Sequence, residues 1–237
     1  MLPNSNDIEV KLGLKENWQQ FSLLVLVNAF VGGMVGLERS ILPRLASEEF
    51  QMASHTAIFS FIVVFGIVKA VTNYFAGHFA NAVGRRRLLI YGWLFAIPIP
   101  FLLMWAPSWN WIIVANILLG INQGLAWSST VTMKIDLVGD KQRGLAMGIN
   151  EFAGYLSVGL VALLTAWIAN AYGIRPYPFY VGIVFVVLGL ALSSIWVKDT
   201  QLFVHKAAAE SSVPLLKNRF WDTSLWNRNL GSITQAG

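Results

Sequence analysis

Six stretches of about 20 mainly apolar residues, each long enough to cross ~30 Å of hydrocarbon as a helix, constrain this chain more than any other feature. They fall at 18–38, 52–76, 88–106, 111–133, 144–169 and 178–197. In lipid every backbone polar group must be satisfied internally, and a helix does this within its own segment. The composition agrees, with 56% of residues in the AVILMFWYC set and only 12% charged. A soluble domain carries about 25% charged residues to cover its surface. A water-soluble globule and a disordered chain are thereby excluded, and the surplus apolar surface must meet a lipid bilayer. The expected fold is an all-α membrane protein. A six-helix transmembrane domain over 18–197 lies between a polar segment, 1–17, and a polar tail, 198–237.

The charges give an orientation. Lys11 and Lys15 precede the first stretch, Arg85, Arg86 and Arg87 follow the second, and Lys134, Lys141 and Arg143 follow the fourth. Lys198, Lys206, Lys217, Arg219 and Arg228 lie in the tail. The opposite loops hold only Arg39, Arg44 and Arg175. Cytoplasmic loops are the ones that carry excess Lys and Arg, so both termini are expected in the cytoplasm. Trp105, Trp109, Trp111 and Trp167 fall at the outer interface and Trp18 and Trp196 at the inner one, as aromatic belts do. In the tail, Leu216, Phe220, Trp226 and Leu230 suit one face of an interfacial helix; a plain linker accounts for the same residues.

Enzymatic constellations are lacking, so an enzyme is not expected. There are no cysteines, and the three histidines (His55, His78, His205) are scattered, which leaves no metal spacing. No phosphate loop or nucleophile elbow occurs, and no cofactor is expected. The net charge of +5 is parcelled out by topology, which disfavours nucleic acid.

Ionisable residues inside a span cost ~2.5–3.5 kcal/mol on translocon scales and are functional candidates by default. Lys69 lies eight residues before Gly77 and Glu151 eight after Arg143, each about 12 Å deep at about 1.5 Å per residue. A Lys69–Glu151 pair is possible by depth, with Asn73 and Tyr155 one turn further along as supports. The functional reading is a coupling-ion or substrate group; a packing ion pair or a snorkelling lysine is the competing one. Glu38 and Arg39 close the first stretch, where they line a cavity mouth or simply anchor the helix. Arg39 shares a face with Asn28, Gly32 and Val35. Asn116, Gly120, Gln123 and Trp127 form a polar stripe on the fourth stretch, suited to a small organic solute or to helix–helix hydrogen bonds. Gly32/Gly36, Gly120/Gly124 and Gly144/Gly148 have the spacing of close helix packing. The third and sixth stretches, almost purely apolar, are expected on the lipid-facing rim.

Between the second and third stretches the chain reads GHFANAVGRRRL, 77–88. This resembles the signature loop of the major facilitator superfamily, Gly-x-x-x-Asp-Arg-x-Gly-Arg-Arg. Gly77, Gly84, Arg85 and Arg86 match, while Asn81 replaces the Asp and Ala82 the Arg. GINQGLAW (120–127) is similar to the family's fourth-span element and DLVGDKQRGLAMG (136–148) to its loop into the fifth span. The resemblance covers 18–199 and implies one six-helix half, built as a 3+3 inverted repeat, of a secondary transporter. Glycines at 77 and 84 are expected to permit a tight reversal, and Asn81 to serve backbone groups at a helix end. Asn81 lacks the charge that clamps the opposite half in relatives. Gly120 stands where an arginine linked to proton coupling is usual, so proton-driven export is not implied.

Family members usually have twelve spans. Six spans suit a fragment, a half that dimerises or pairs with a carboxy-terminal half, or a half retained for a structural task. Two function classes follow. One is a transporter half moving a small solute, with Asn28, Gln123 and Trp127 contacting substrate and Lys69 and Glu151 coupling. The other is a non-transporting six-helix subunit of a larger membrane complex. The lack of cysteine and of a targeting peptide favours a bacterial inner membrane.

Overall fold

The computed structural model describes residues 11–52, 54 and 58–204. The described chain runs through α1 (Trp18–Arg39), α2 (Leu42–Glu48), α3 (Ser60–Val83), α4 (Arg85–Ala96), α5 (Pro98–Trp105), α6 (Trp109–Val138), α7 (Arg143–Tyr172) and α8 (Tyr177–Ile195). They make six spans long and apolar enough to cross a membrane, with α1–α2 forming the first and α4–α5 the third. Pro98 and Pro100 break the third span after Ala96, because proline removes a backbone donor and clashes with the preceding turn.

Spans one and four are the most buried. α1 packs chiefly on α7, then on α8 and α6; α6 packs chiefly on α3 and α4. Exchanging spans one, two and three for four, five and six turns each of these pairings into the other. That is the contact pattern of a 3+3 repeat. Small residues bring the central pairs together: a Cβ at Gly32 would stand 2.3 Å from the Gly154 carbonyl oxygen, so only glycine lets α1 approach the α7 backbone this closely. Gly36 meets α7, and Gly120 and Gly124 meet α3, in the same manner. Gly144 and Gly148 touch nothing within 4 Å, so this third small-residue pair is not a packing contact.

The structure corrects several boundaries. The second span runs Ser60–Val83 rather than 52–76, and α6 continues to Val138. Hydropathy marks where apolar sequence ends, whereas helices end where hydrogen bonding is interrupted. Gly77 therefore lies inside α3, exposed and without neighbours, and makes no reversal. The reversal belongs to Gly84 alone, whose φ of 95° is open to glycine and strained for other residues. Gly84→Ala is expected to cost about 1–2 kcal/mol from this backbone strain, seen as a lowered unfolding midpoint in detergent. Lys134 and Asp136 likewise sit within α6 and not in the loop after it. Spans two and five are the most exposed in this chain, and spans three and six less so. Trp93 of the third span fills the hollow at Gly189 of the sixth, which buries apolar surface between them.

Two ends can be told apart. At the basic end, Gly13 N donates to Leu137 O at 3.0 Å, Gln20 Nε2 to Trp196 O at 3.0 Å, and Arg86 N to Asp199 Oδ2 at 3.1 Å. At the other end Arg44 Nη1 donates to Asn170 Oδ1 at 2.7 Å, and Arg175 pairs with Glu49 and donates to Ala106 O. Trp18 and Trp196 are exposed at the basic end, and Trp105, Trp111 and Trp167 at the other. The tail helix expected around 216–230 lies outside the described residues, as do His55 and His205.

Candidate functional site

Depth makes a Lys69–Glu151 pair possible; in the structure an indole stands between the two charges. Lys69 Nζ of α3 lies 4.8 Å from the centroid of a Trp127 ring and 5.8 Å from that of Phe65. Trp127 Nε1 donates to Glu151 Oε1 at 3.0 Å, and Asn150 Nδ2 donates to the same oxygen at 2.9 Å. No ion pair joins Lys69 to Glu151 among the described residues. An aromatic ring has a negative face and a positive edge, so one indole serves both charges. Each cation–π contact contributes about 0.5–2 kcal/mol, depending on how dry the site is. Arg39 closes the array, with its guanidinium carbon 5.6 Å from the Phe65 centroid.

Local sequence explains why the indole sits there. A Cβ at position 154 would fall 2.3 Å from Trp127 Cη2, so Trp127 fills the space that Gly154 leaves empty on α7. Tyr155 flanks the indole, with centroids 5.5 Å apart. Asn73, expected to support Lys69, instead accepts from Ser128 Oγ at 2.8 Å.

Behind the indole a polar chain ties three helices together. Asn28 is fully buried; its Nδ2 donates to Asn150 O at 2.9 Å, and its Oδ1 accepts from Thr130 Oγ1 at 2.9 Å. Gln123 is also fully buried and donates to Val31 O at 2.6 Å. Both therefore occupy the α1–α6 seam and hold the helices that carry the site. Glu38 is 2% exposed, has one carboxylate oxygen without a hydrogen-bond partner, and lies beside Asn116. Of the adjacent pair, only Arg39 is accessible.

Sequence reasoning missed Thr130, Asn150 and Lys134. Lys134 is fully buried, with Nζ donating to Leu24 O at 3.1 Å. The signal was present, because Thr130 and Lys134 continue the stripe of Gln123 and Trp127 by two more turns of one face. Asn150 immediately precedes Glu151.

At the basic end the signature residues do structural work. Arg85 is 6% exposed and pairs with Asp136 at 3.3 Å, while Thr200 Oγ1 donates to the same carboxylate oxygen at 2.6 Å. Arg86 donates to the carbonyls of Ser193 and Ser194. Asn81 is exposed, and its backbone oxygen accepts from Gln201 Nε2 at 3.1 Å. A cleft of about 420 Å³ at this end, between 15–20 and 198–203, lies apart from the Lys69–Trp127–Glu151 array.

The family comparison rests on the same stretch of chain. Residues 22–232 match the sequence model of the Major Facilitator Superfamily. The chain is 26% identical over 153 residues to the probable 4-methylmuconolactone transporter of Cupriavidus pinatubonensis, which covers 62% of this chain and 35% of that protein. It is 29% identical over 156 residues to the proton-coupled antiporter flippase LtaA of Staphylococcus haemolyticus, covering 65% and 36%. The chain thus spans about a third of the length of these curated relatives. With six apolar spans arranged as two packed triplets and a family match over most of its length, this integral membrane protein belongs to the Major Facilitator Superfamily.

Proposed function

We propose that the chain is one six-helix half of a secondary transporter that moves a small solute, with Lys69, Trp127 and Glu151 as the groups nearest that solute. The observation that carries this reading is the array itself: two opposite charges held on one indole, inside spans, on partly exposed surface. Charges so placed are costly in lipid and are kept where water or solute reaches them. Asn28 and Gln123 position α1 and α6 behind the array, Glu38 lies buried next to Arg39, and Arg39 marks the approach from the end opposite the basic one. One relative named above is called a transporter and the other an antiporter flippase, which supports the class and leaves the solute open.

The exposed faces of α3 and α7 carry Tyr74, Phe75, Phe79, Phe152, Leu160 and Leu163. A second six-helix unit, either a copy or a carboxy-terminal half, is the partner that suits a family built from paired halves. Basic residues at the end bearing 11–20 and 196–204 favour cytoplasmic placement of both termini. The relatives' sources favour a bacterial inner membrane.

The test is flux of a panel of small solutes in cells making the chain alone or with a second six-helix half. Trp127→Ala is expected to abolish any flux found while membrane levels stay normal, because it removes the partner of Lys69 and of Glu151 together. Unchanged flux would remove the array from the solute path.

A further inference from the structure

Within the transporter reading, and resting on it, the charges around Phe65 and Trp127 indicate the class of solute. Three ionisable groups near the array are exposed enough to meet a ligand: Arg39, Lys69 and Glu151. Glu38 and Lys134 are at most 2% exposed and cannot touch one. The two accessible cations both lie against Phe65, at 5.6 and 5.8 Å, and among the described residues neither has a carboxylate within ion-pairing distance. The accessible acid is partly engaged, since Glu151 Oε1 takes two N–H donors, and this one carboxylate stands against two accessible cations. The balance of accessible charge at this place is therefore cationic, beside the exposed ring of Tyr155.

We infer that this half binds an organic anion, a small carboxylate with a planar apolar body. The carboxylate sits between Arg39 and Lys69, and the body lies on the exposed ring of Tyr155, against the 8% of Trp127 and of Phe65 that remains open. Arginine suits the carboxylate end because its planar fork matches carboxylate geometry, and lysine adds a point charge. The aromatic side chains take the ring by stacking and edge contacts. Lys69 stands nine residues into α3 from Ser60, about 13 Å along the helix, so a membrane-bound lipid headgroup does not reach it from that end. A free small anion does.

The experiment uses the full chain in lipid nanodiscs and three ring-matched probes that differ in charge: benzoate, benzamide and benzylammonium. Binding is followed by calorimetry. Benzoate is expected to bind at least about tenfold more tightly than either other probe, as loss of a charge-assisted contact implies. Lys69→Gln and Arg39→Gln should each weaken benzoate by about tenfold, because each removes one charged donor, whereas Lys69→Arg should retain most of the affinity. A preference for benzylammonium or benzamide that Trp127→Ala abolishes would overturn the anion class and leave the solute site standing. Binding of none of the three, or binding indifferent to Trp127→Ala, would overturn the site reading and the anion class with it. Equal loss in Lys69→Gln and Lys69→Arg would show that packing and not charge is at work, and would also overturn the inference.

Discussion

Arg85→Ala is expected to destabilise the chain by about 3–5 kcal/mol, because it strands a buried carboxylate. Arg85 and Asp136 have side chains only 7% and 11% exposed, and they pair at 3.3 Å. Arg85 opens α4, where the helix dipole already disfavours cations, so Asp136 offsets both the burial and the dipole. Asp199 helps from the other side, accepting Arg86 N at 3.1 Å as a cap supplied from the segment after α8. Denaturant unfolding in mixed micelles reads the loss, and Asp136→Ala should show a similar one. The double variant Arg85→Met/Asp136→Leu should be more stable than either single variant, since an apolar pair of similar size carries no uncompensated charge. If both single variants unfold like the parent, the pair is solvated in the folded protein and the signature arginine has no structural role at this place.

How far the sequence was legible follows from what each signal measures. Hydropathy and length report the thickness of apolar chain, so all six spans were visible. The same signal says nothing of hydrogen bonding beyond the lipid, which is why Gly77 was read as a turn and Lys134 and Asp136 as loop residues. Depth along a helix could be counted, so Lys69 and Glu151 were recognised as candidates. The rotation of one helix against another cannot be counted, and the indole between them emerged only from the packing of Trp127 over Gly154. Asn28 and Gln123 were read as solute contacts because buried amides and cavity-lining amides look alike in a polar stripe. Only their fully buried bonds with Thr130 and Val31 place them in the seam. Hydropathy also cannot tell a face turned to lipid from one turned to another helix, so the greater exposure of spans two and five was not legible.

Small-residue pairs make this last limit measurable. Gly32 and Gly148 occur in the same four-residue spacing, yet a Cβ at 32 would meet the Gly154 carbonyl oxygen at 2.3 Å and one at 148 would meet nothing within 4 Å. Gly32→Ala therefore forces α1 away from the α7 backbone, which cannot yield as a side chain does. The expected loss is about 1–3 kcal/mol, the usual range for overpacking a tight contact. It should come with weaker binding at the proposed Trp127 site, since α1 and α7 hold Asn28, Asn150 and Glu151 in register. Gly148→Ala should move stability the other way, by up to about 1 kcal/mol, because alanine is the better helix former and no contact is lost. Thermal unfolding of the two variants in the same detergent separates the cases. Equal and small effects would mean that α1 and α7 do not touch through their backbones, and the support proposed for the Trp127 site would fall with that contact. Opposite signs would tie the stability of the half to the contact that keeps the indole in place.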